Sequence, residues 1–183
     1  MAVDLKATVP GTDREAKLAN PAIDMPGYIK VAQEAEVHRR TRRVTEEEFI
    51  KMSGEKDTII LDARSKQMYD LLHVKGAINL NFSDIDAVTL PKTLPDKNVR
   101  ILIYCNNNFT PAAPERADQV QPVRAKKPDV AARAFQPKMR TASLNVSTYT
   151  ALYNYGYKNV YELAPLLDVN TSKIVFESNS DKK

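Results

Sequence analysis

This chain has few of the cysteines and histidines that are typical of disulfide-stabilised and metal-binding proteins. Its 183 residues include one cysteine and two histidines. A single cysteine cannot form an internal disulfide, so folding does not depend on an oxidising compartment. The two histidines, His38 and His73, lie far apart in the sequence and give no metal-ligand spacing with the cysteine. We therefore expect no metal site and no cofactor.

Long apolar runs are also missing. The longest apolar stretches are only a few residues, too short for a segment that crosses a bilayer. The first residues lack the apolar core of a signal peptide. The sequence therefore predicts a cytoplasmic protein with no membrane partner. Export remains the alternative if a signal peptide has been removed.

The net charge of +4 is concentrated in two clusters. The range 39–43 holds four arginines, and the range 110–141 holds seven basic residues against three acidic ones. Such clusters attract small anions or nucleic acid, or simply lie on a solvated surface. Apart from Phe135, no aromatic residue is interleaved with them, so we expect no nucleic-acid partner.

The residues that are present predict an α/β domain. A capping box, Thr45 with Glu48, indicates a helix start, and the ranges 58–62, 99–104 and 159–163 have the composition of buried strands. Apolar residues at helical spacing indicate a helix over 141–155. This alternation predicts a central, mostly parallel sheet flanked by helices.

These patterns divide the chain into an N-terminal extension, one domain and a C-terminal tail. Residues 1–43 form an N-terminal extension with a helix from about 28 to 39, residues 44–176 form one domain, and residues 177–183 form a tail. Within the domain, 110–140 has five prolines, no glycine and few large apolar residues. That composition predicts a mobile insertion. The range 174–176 is interpreted as an edge strand.

Cys105 follows the most strand-like run of the chain, Val99–Tyr104, and precedes three asparagines. In open α/β sheets, ligands bind beyond the carboxyl ends of the strands. The position therefore favours a functional thiol. The alternative is a small buried hydrophobic residue, which is a common role for free cysteine.

Five segments of the chain resemble segments of the rhodanese family and follow one another in the same order. They are Val44–Phe49, like the opening helix; Leu61–Arg64, like the Asp-x-Arg signature; Met68–Asn79, like the tyrosine and the Gly-His-Ile-Pro-Gly-Ala-Ile-Asn stretch; Ile101–Cys105, like the strand and active cysteine; and Tyr155–Leu163, like the last helix exit and strand.

The resemblance implies a thiosulfate sulfurtransferase-type activity. A Cys105 persulfide would move sulfur from a small anionic donor such as thiosulfate to a thiol or cyanide acceptor. Such chemistry needs a thiolate near neutral pH, and a helix N-terminus stabilises one. The oligomeric state is not specified.

The active loop departs from the family pattern. Where the family has a glycine-containing loop of Cys, four residues and Arg, this chain has Thr110 and no loop glycine. We expect a substrate cradle built instead from Asn106, Asn107, Asn108 and Phe109, with Arg140 replacing the missing arginine. Three further residues are expected to support the structure: Asp62, Arg64 and His73.

Three alternatives accompany the sulfurtransferase interpretation. Cysteine phosphatases share this fold but need an arginine where this chain has Pro111. A weakly active or non-catalytic module would use Cys105 for sulfur carriage or redox sensing, or bind a partner through the insertion. An inert structural domain would have a buried, unreactive Cys105.

Overall fold

A five-stranded parallel sheet organises the protein. We describe residues 17–110 and 128–179 of a computed structural model. The strands are β1 (Arg43–Val44), β2 (Thr58–Asp62), β3 (His73–Val74), β4 (Ile78–Asn79), β5 (Arg100–Tyr104), β6 (Phe109–Thr110), β7 (Val160–Leu163), β8 (Leu167–Asp168) and β9 (Phe176–Glu177). The helices are α1 (Met25–Arg39), α2 (Glu46–Ser53), α3 (Lys66–Leu71), α4 (Thr89–Thr93), α5 (Pro128–Ala134) and α6 (Leu144–Asn154).

The sheet order is β1-β7-β5-β2-β4, with every pair parallel. The central pair, β2 and β5, is in register from Thr58 opposite Arg100 to Asp62 opposite Tyr104. Both strands are rich in Ile and Leu, which suits a sheet covered on both faces. Their carboxyl ends therefore meet at one edge, and Cys105 lies one residue beyond it.

Side chains alternate across the sheet and enter two separate cores. Leu102 and Tyr104 belong to the core that also holds Phe49 of α2 and residues of α5. Ile101 and Ile103 belong to the core on the other face, with residues of α1, α4 and α6. This alternation is the period of two that a strand imposes. The predicted α/β class, with helices on both faces, is confirmed.

Local chemistry sets the helix boundaries. The predicted capping box is present: Glu48 N donates to Thr45 Oγ1 at 3.2 Å, and Thr45 N donates to Glu48 Oε2 at 2.8 Å. Gly156 follows α6 with φ +88°, a left-handed conformation that favours glycine. The structure thus begins α2 and ends α6 where the sequence indicates.

The segment 110–140 differs from the expected mobile insertion in its second half. Ala131, Ala134 and Phe135 are buried in the core. The Phe135 ring lies 4.6 Å from the Phe109 ring and 5.7 Å from the Phe176 ring, between centroids. Two alanines of α5 and the phenylalanine after it thus pack in the core, although the average composition of 110–140 is rich in proline and poor in large apolar residues. Residues 111–127 lie outside the described residues.

Both ends of the chain also differ from expectation. Helix α1 packs on α6 and buries Ala35, so part of the extension 1–43 belongs to the fold. The expected edge strand at 174–176 is instead β9, which pairs antiparallel with β3 in a separate two-stranded sheet. Of the expected tail, Glu177 belongs to β9, and residues 178 and 179 lie against α3, where Asn179 N donates to Asp70 O at 3.0 Å. No described helix has both the length and the apolar character that a membrane span requires.

Candidate active site

Cys105 lies between the end of β5 and the start of α6. Its side chain is buried, with the residue 1% exposed. Its Sγ lies 3.3 Å from Oγ of Ser143, the residue immediately before α6. Either atom can donate this hydrogen bond. The sulfur thus lies beside the hydroxyl group of the residue that precedes α6.

Asn108 holds the loop after Cys105 in place. Its Oδ1 accepts from Cys105 N at 2.9 Å and from Asn145 Nδ2 at 2.9 Å. Its Nδ2 donates to Leu163 O at 2.7 Å. One buried side chain therefore joins the end of β5 to the first turn of α6 and to the end of β7.

The other two asparagines bind the chain where it returns toward α6. Asn106 Nδ2 donates to Gln136 O at 2.5 Å, and Asn107 Nδ2 donates to Lys138 O at 2.8 Å. Lys138 N donates back to Asn107 Oδ1 at 3.0 Å. We expected the asparagine amides to face a substrate anion. In the structure, all three donate to backbone carbonyls instead.

Phe109 and Arg140, also expected to contact substrate, have different surroundings. Phe109 is 2% exposed and packs in the aromatic cluster with Phe135 and Phe176. Arg140 is exposed, in a 3₁₀ turn (Arg140–Ala142) that leads directly to Ser143. Phe109 is therefore part of the core, whereas Arg140 lies on the surface three residues before the serine that contacts Cys105.

Asp62 and Arg64 form a buried ion pair beside the same edge. Arg64 Nη2 donates to Asp62 Oδ2 at 2.6 Å, and both residues are at most 1% exposed. Arg64 also donates to Ala134 O at 2.8 Å and Leu72 O at 2.7 Å. Although burial opposes its charge, the hydrogen bond and charge of Asp62 raise the pKa of Arg64. The pair therefore links β2, α3 and α5.

Tyr104 completes this network. Its hydroxyl donates to Asp62 Oδ2 at 2.5 Å and accepts from Val74 N at 3.1 Å. Burial, followed by the neighbouring Asp62 carboxylate, raises the pKa of Tyr104 well above its usual value. The tyrosine therefore remains a neutral hydrogen-bond donor at neutral pH.

His73 lies in β3, in the two-stranded sheet that β3 forms with β9. Its Nδ1 lies 2.6 Å from Tyr69 O, and its ring stacks on the Tyr69 ring with centroids 3.8 Å apart. Its Nε2 lies 3.5 Å from Glu177 Oε1. These contacts orient the imidazole within the fold.

Two residues near Cys105 were missed in the sequence analysis. Ser143 is the residue before α6, and Asn145 lies in its first turn, where both are buried. A serine is a typical N-cap residue, so its position before the helical pattern was the available indication. Within the described ranges, no cluster of three or more histidine, cysteine or carboxylate side chains is arranged to hold a metal ion.

Among curated proteins, the chain is similar to the tRNA uridine(34) hydroxylases of Aster yellows witches'-broom phytoplasma (strain AYWB) and Onion yellows phytoplasma (strain OY-M). Each is 40% identical over 62 residues, which are 32% of this chain and 20% of the relative. The matched stretch thus spans one fifth of their length.

Two solved structures and a family profile complete the comparison. The rhodanese-like domain from Anabaena sp., determined by NMR, has a TM-score of 0.45 and 16% identity, covering 78% of this chain and 83% of its own. The rhodanese with anions from E. coli has a TM-score of 0.38 and 19% identity, covering 66% and 98%. The Rhodanese-like domain profile matches residues 45–164. The chain belongs to the rhodanese-like domain family.

Proposed function

We propose that this domain is a thiosulfate sulfurtransferase-type enzyme that carries a sulfane sulfur on Cys105. One observation carries the proposal: Cys105 Sγ lies at the carboxyl end of β5, 3.3 Å from Ser143 Oγ at the start of α6. A hydroxyl donor and a helix N-terminus both stabilise a thiolate, and equally the terminal sulfur anion of a persulfide.

In the proposed reaction, sulfur is first transferred to Cys105 and then to an acceptor. The Cys105 thiolate attacks the outer sulfur of thiosulfate, an S–S bond forms to the cysteine, and the bond to the departing sulfite breaks with its electron pair. Cyanide or an acceptor thiolate then attacks the terminal sulfur of the persulfide. The cysteine–sulfur bond breaks, and the Cys105 thiolate is regenerated with thiocyanate or an acceptor persulfide as product. No external oxidant or reductant is required.

The donor must reach a buried sulfur. The hydrogen bonds of Asn106 and Asn107 hold residues 136–138 against the loop that follows Cys105. Each such bond contributes about 1 kcal/mol net, so separating this segment is far less costly than unfolding the domain. We therefore include local movement of residues 136–138 in the proposed cycle.

Arg140 is the proposed contact for the anionic donor. It is exposed and lies in the turn that precedes Ser143, so its guanidinium can meet a donor that enters beside the α6 N-terminus. We expect Arg140→Ala to raise the KM for thiosulfate several-fold, whereas Arg133→Ala, which removes an exposed arginine from α5, leaves it unchanged. Equal effects of both variants would remove Arg140 from the proposal.

The deciding experiment is intact-mass analysis after incubation with thiosulfate. We expect the wild type to gain one sulfur atom and to lose it on addition of cyanide, and Cys105→Ser to gain none. Alkylation with iodoacetamide, before and after thiosulfate, reports whether the thiol is accessible. No adduct on a thiol that is readily alkylated would contradict the proposal.

That contrary result would favour a second function, a non-catalytic or weakly active module for redox sensing or partner binding. A specific observation supports it: all three asparagine amides of the loop donate to carbonyls of the protein itself. Turnover with thiosulfate and cyanide separates the two functions, because a non-catalytic module has none and a weakly active one has little. The phosphatase alternative requires an arginine at Pro111, which lies outside the described residues, and we do not propose it.

A further inference from the structure

The four arginines of 39–43 do not share one environment. Arg39 forms ion pairs with Glu162 and Glu36, and Arg40 pairs with Glu36. Arg42 has no acidic partner in the described part of the chain, and its Nη1 is buried there without a hydrogen-bond partner. Its guanidinium lies 5.0 Å from the centre of the Tyr161 ring. The charge of Arg42 is therefore shared with an aromatic ring but not compensated by any carboxylate of the described residues.

Arg42 lines a cleft at the edge of the sheet opposite Cys105. Because β1, β7 and β5 are parallel neighbours, the residues that precede them meet at this amino edge. The cleft has a volume of about 420 Å³, within the range of sites for small ligands. Its lining comes from the segments before these three strands: Arg42, Lys97, Asn98, Gly156, Lys158 and Asn159.

The lining carries three cations and no carboxylate. Lys158 Nζ donates to Tyr153 O at 2.8 Å, and Lys97 Nζ lies 5.8 Å from the Tyr157 ring. Neither lysine forms an ion pair within the described ranges. Partial burial lowers the pKa of Lys158, an effect that the charge of Glu34 opposes. The positive charges of the cleft are therefore only weakly compensated.

The walls of the cleft are held by contacts of the backbone. Asn159 Nδ2 donates to Asn98 O at 2.9 Å, which joins the segments before β7 and β5. A β-carbon placed on Gly156 would lie 3.4 Å from Lys97 Nζ, and the residue has φ +88°. Glycine at this position thus lets the lysine lie beside the backbone that ends α6.

We propose that this cleft binds a small phosphate-bearing anion, with Arg42, Lys97 and Lys158 as its contacts. An arginine supplies paired donors that match phosphate oxygens, and two lysines supply further charge. Three cations around one cavity suit a ligand with two or more negative charges. The site is separate from Cys105 and does not depend on sulfur transfer.

His38 provides a local readout of occupancy. Its Nδ1 lies 2.8 Å from Tyr149 Oη, and its ring centroid lies 5.2 Å from that of Tyr153. Burial lowers the pKa of His38, and the charges of Arg42 and Lys158 lower it further. An anion bound between these two cations would offset their charge. We therefore expect the pKa of His38 to rise when the site is filled.

The test is an NMR titration of the His38 ring with inorganic pyrophosphate, at ionic strength matched with sodium chloride. Only two histidines are present, so the spectrum of His38→Gln assigns the resonance. We expect a saturable shift with pyrophosphate and none with sodium chloride. The double variant Lys97→Gln/Lys158→Gln should weaken binding by roughly tenfold or more, because two charged donors are lost.

Two control variants test whether the effect is specific to the cleft. Lys51→Gln removes one positive charge from an exposed site on α2, against two in the double variant, and we expect it to bind like the wild type. Cys105→Ser should also bind normally, which separates this site from the proposed sulfur transfer. An unsaturable shift, or equal weakening by Lys51→Gln and by the double variant, would overturn the anion site.

Discussion

Two buried polar groups lie at the carboxyl edge of the sheet, and they differ in how completely they are hydrogen bonded. In the first, Asp62, Arg64 and Tyr104 bond one another and the backbone of neighbouring elements. The second consists of the asparagine loop that follows Cys105 together with Asn145 of α6, and in it Asn106 Oδ1 and Asn145 Oδ1 are buried without a partner among the described residues. The first group joins secondary-structure elements, whereas the second lies beside the thiol.

The difference indicates which part of this edge is able to move. A buried ion pair with its hydrogen bonds made is costly to disturb, because either partner left alone is an uncompensated charge. A neutral network with unpaired oxygens has already lost part of its possible stabilisation. The loop beside Cys105 is therefore the less costly region to rearrange. Movement of this loop would let the proposed substrate reach Cys105, which is buried.

Removing one partner of the ion pair should have the largest effect. We expect Arg64→Ala to lower the free energy of unfolding by about 4 kcal/mol, because the Asp62 carboxylate would stay buried without its cation. The guanidinium also lies 4.5 Å from the centre of the ring of Phe135, the residue after α5, so this packing is lost as well. Urea denaturation followed by circular dichroism measures the change.

The matched control for this prediction is Arg133→Ala, which removes an exposed arginine from α5 itself. We expect it to change stability by about 0.5 kcal/mol or less. If Arg64→Ala were as mild as this control, the ion pair would not be the stabilising group of the edge, and the contrast with the asparagine loop would fail.

A change within the asparagine loop should be smaller. We expect Asn108→Ala to cost about 2 kcal/mol, because Cys105 N, Asn145 Nδ2 and Leu163 O each lose a partner. The same urea experiment measures this loss, and alkylation of Cys105 by iodoacetamide should become faster as the loop loosens.

Asn107→Ala serves as the comparison, because Asn107 bonds Lys138 in a more exposed setting. Its cost should be about 1 kcal/mol. Equal losses from both asparagine variants would show that burial does not distinguish the two positions.

The sequence predicts the elements whose determinants are local. The Thr45–Glu48 capping box and the apolar composition of β2 and β5 specify structure within a few residues. The position of Cys105 at the sheet edge follows from the strand that precedes it. These features depend on backbone preference and on the period of side-chain burial, both of which are visible in one sequence.

The remaining features depend on contacts between distant parts of the chain. Whether an asparagine amide faces a ligand or a carbonyl is set by where residues 136–138 return, and composition does not reveal that path. The burial of Phe135 depends on Phe109 and Phe176, on separate strands. Arg42 joins Lys97 and Lys158 only because β1, β5 and β7 are neighbours in the sheet.

A substitution at Ser143 should change the stability little but should slow the formation of the persulfide. Ser143→Ala removes the hydroxyl that lies 3.3 Å from Cys105 Sγ and leaves the backbone of α6 intact. We expect a loss of about 1 kcal/mol or less in stability. The rate of persulfide formation with thiosulfate should fall about tenfold, because a hydrogen bond to a charged sulfur is worth more than a neutral one.

Two further variants separate the hydroxyl from the helix that carries it. Ser143→Thr keeps a hydroxyl and should restore most of the rate, whereas Ser147→Ala removes a serine one turn later on α6 and should change nothing. If Ser143→Ala formed the persulfide at the wild-type rate, the hydroxyl would be only a packing contact. Stabilisation of the sulfur would then rest on the α6 N-terminus alone, and the less completely bonded loop would allow access without contributing to the chemistry.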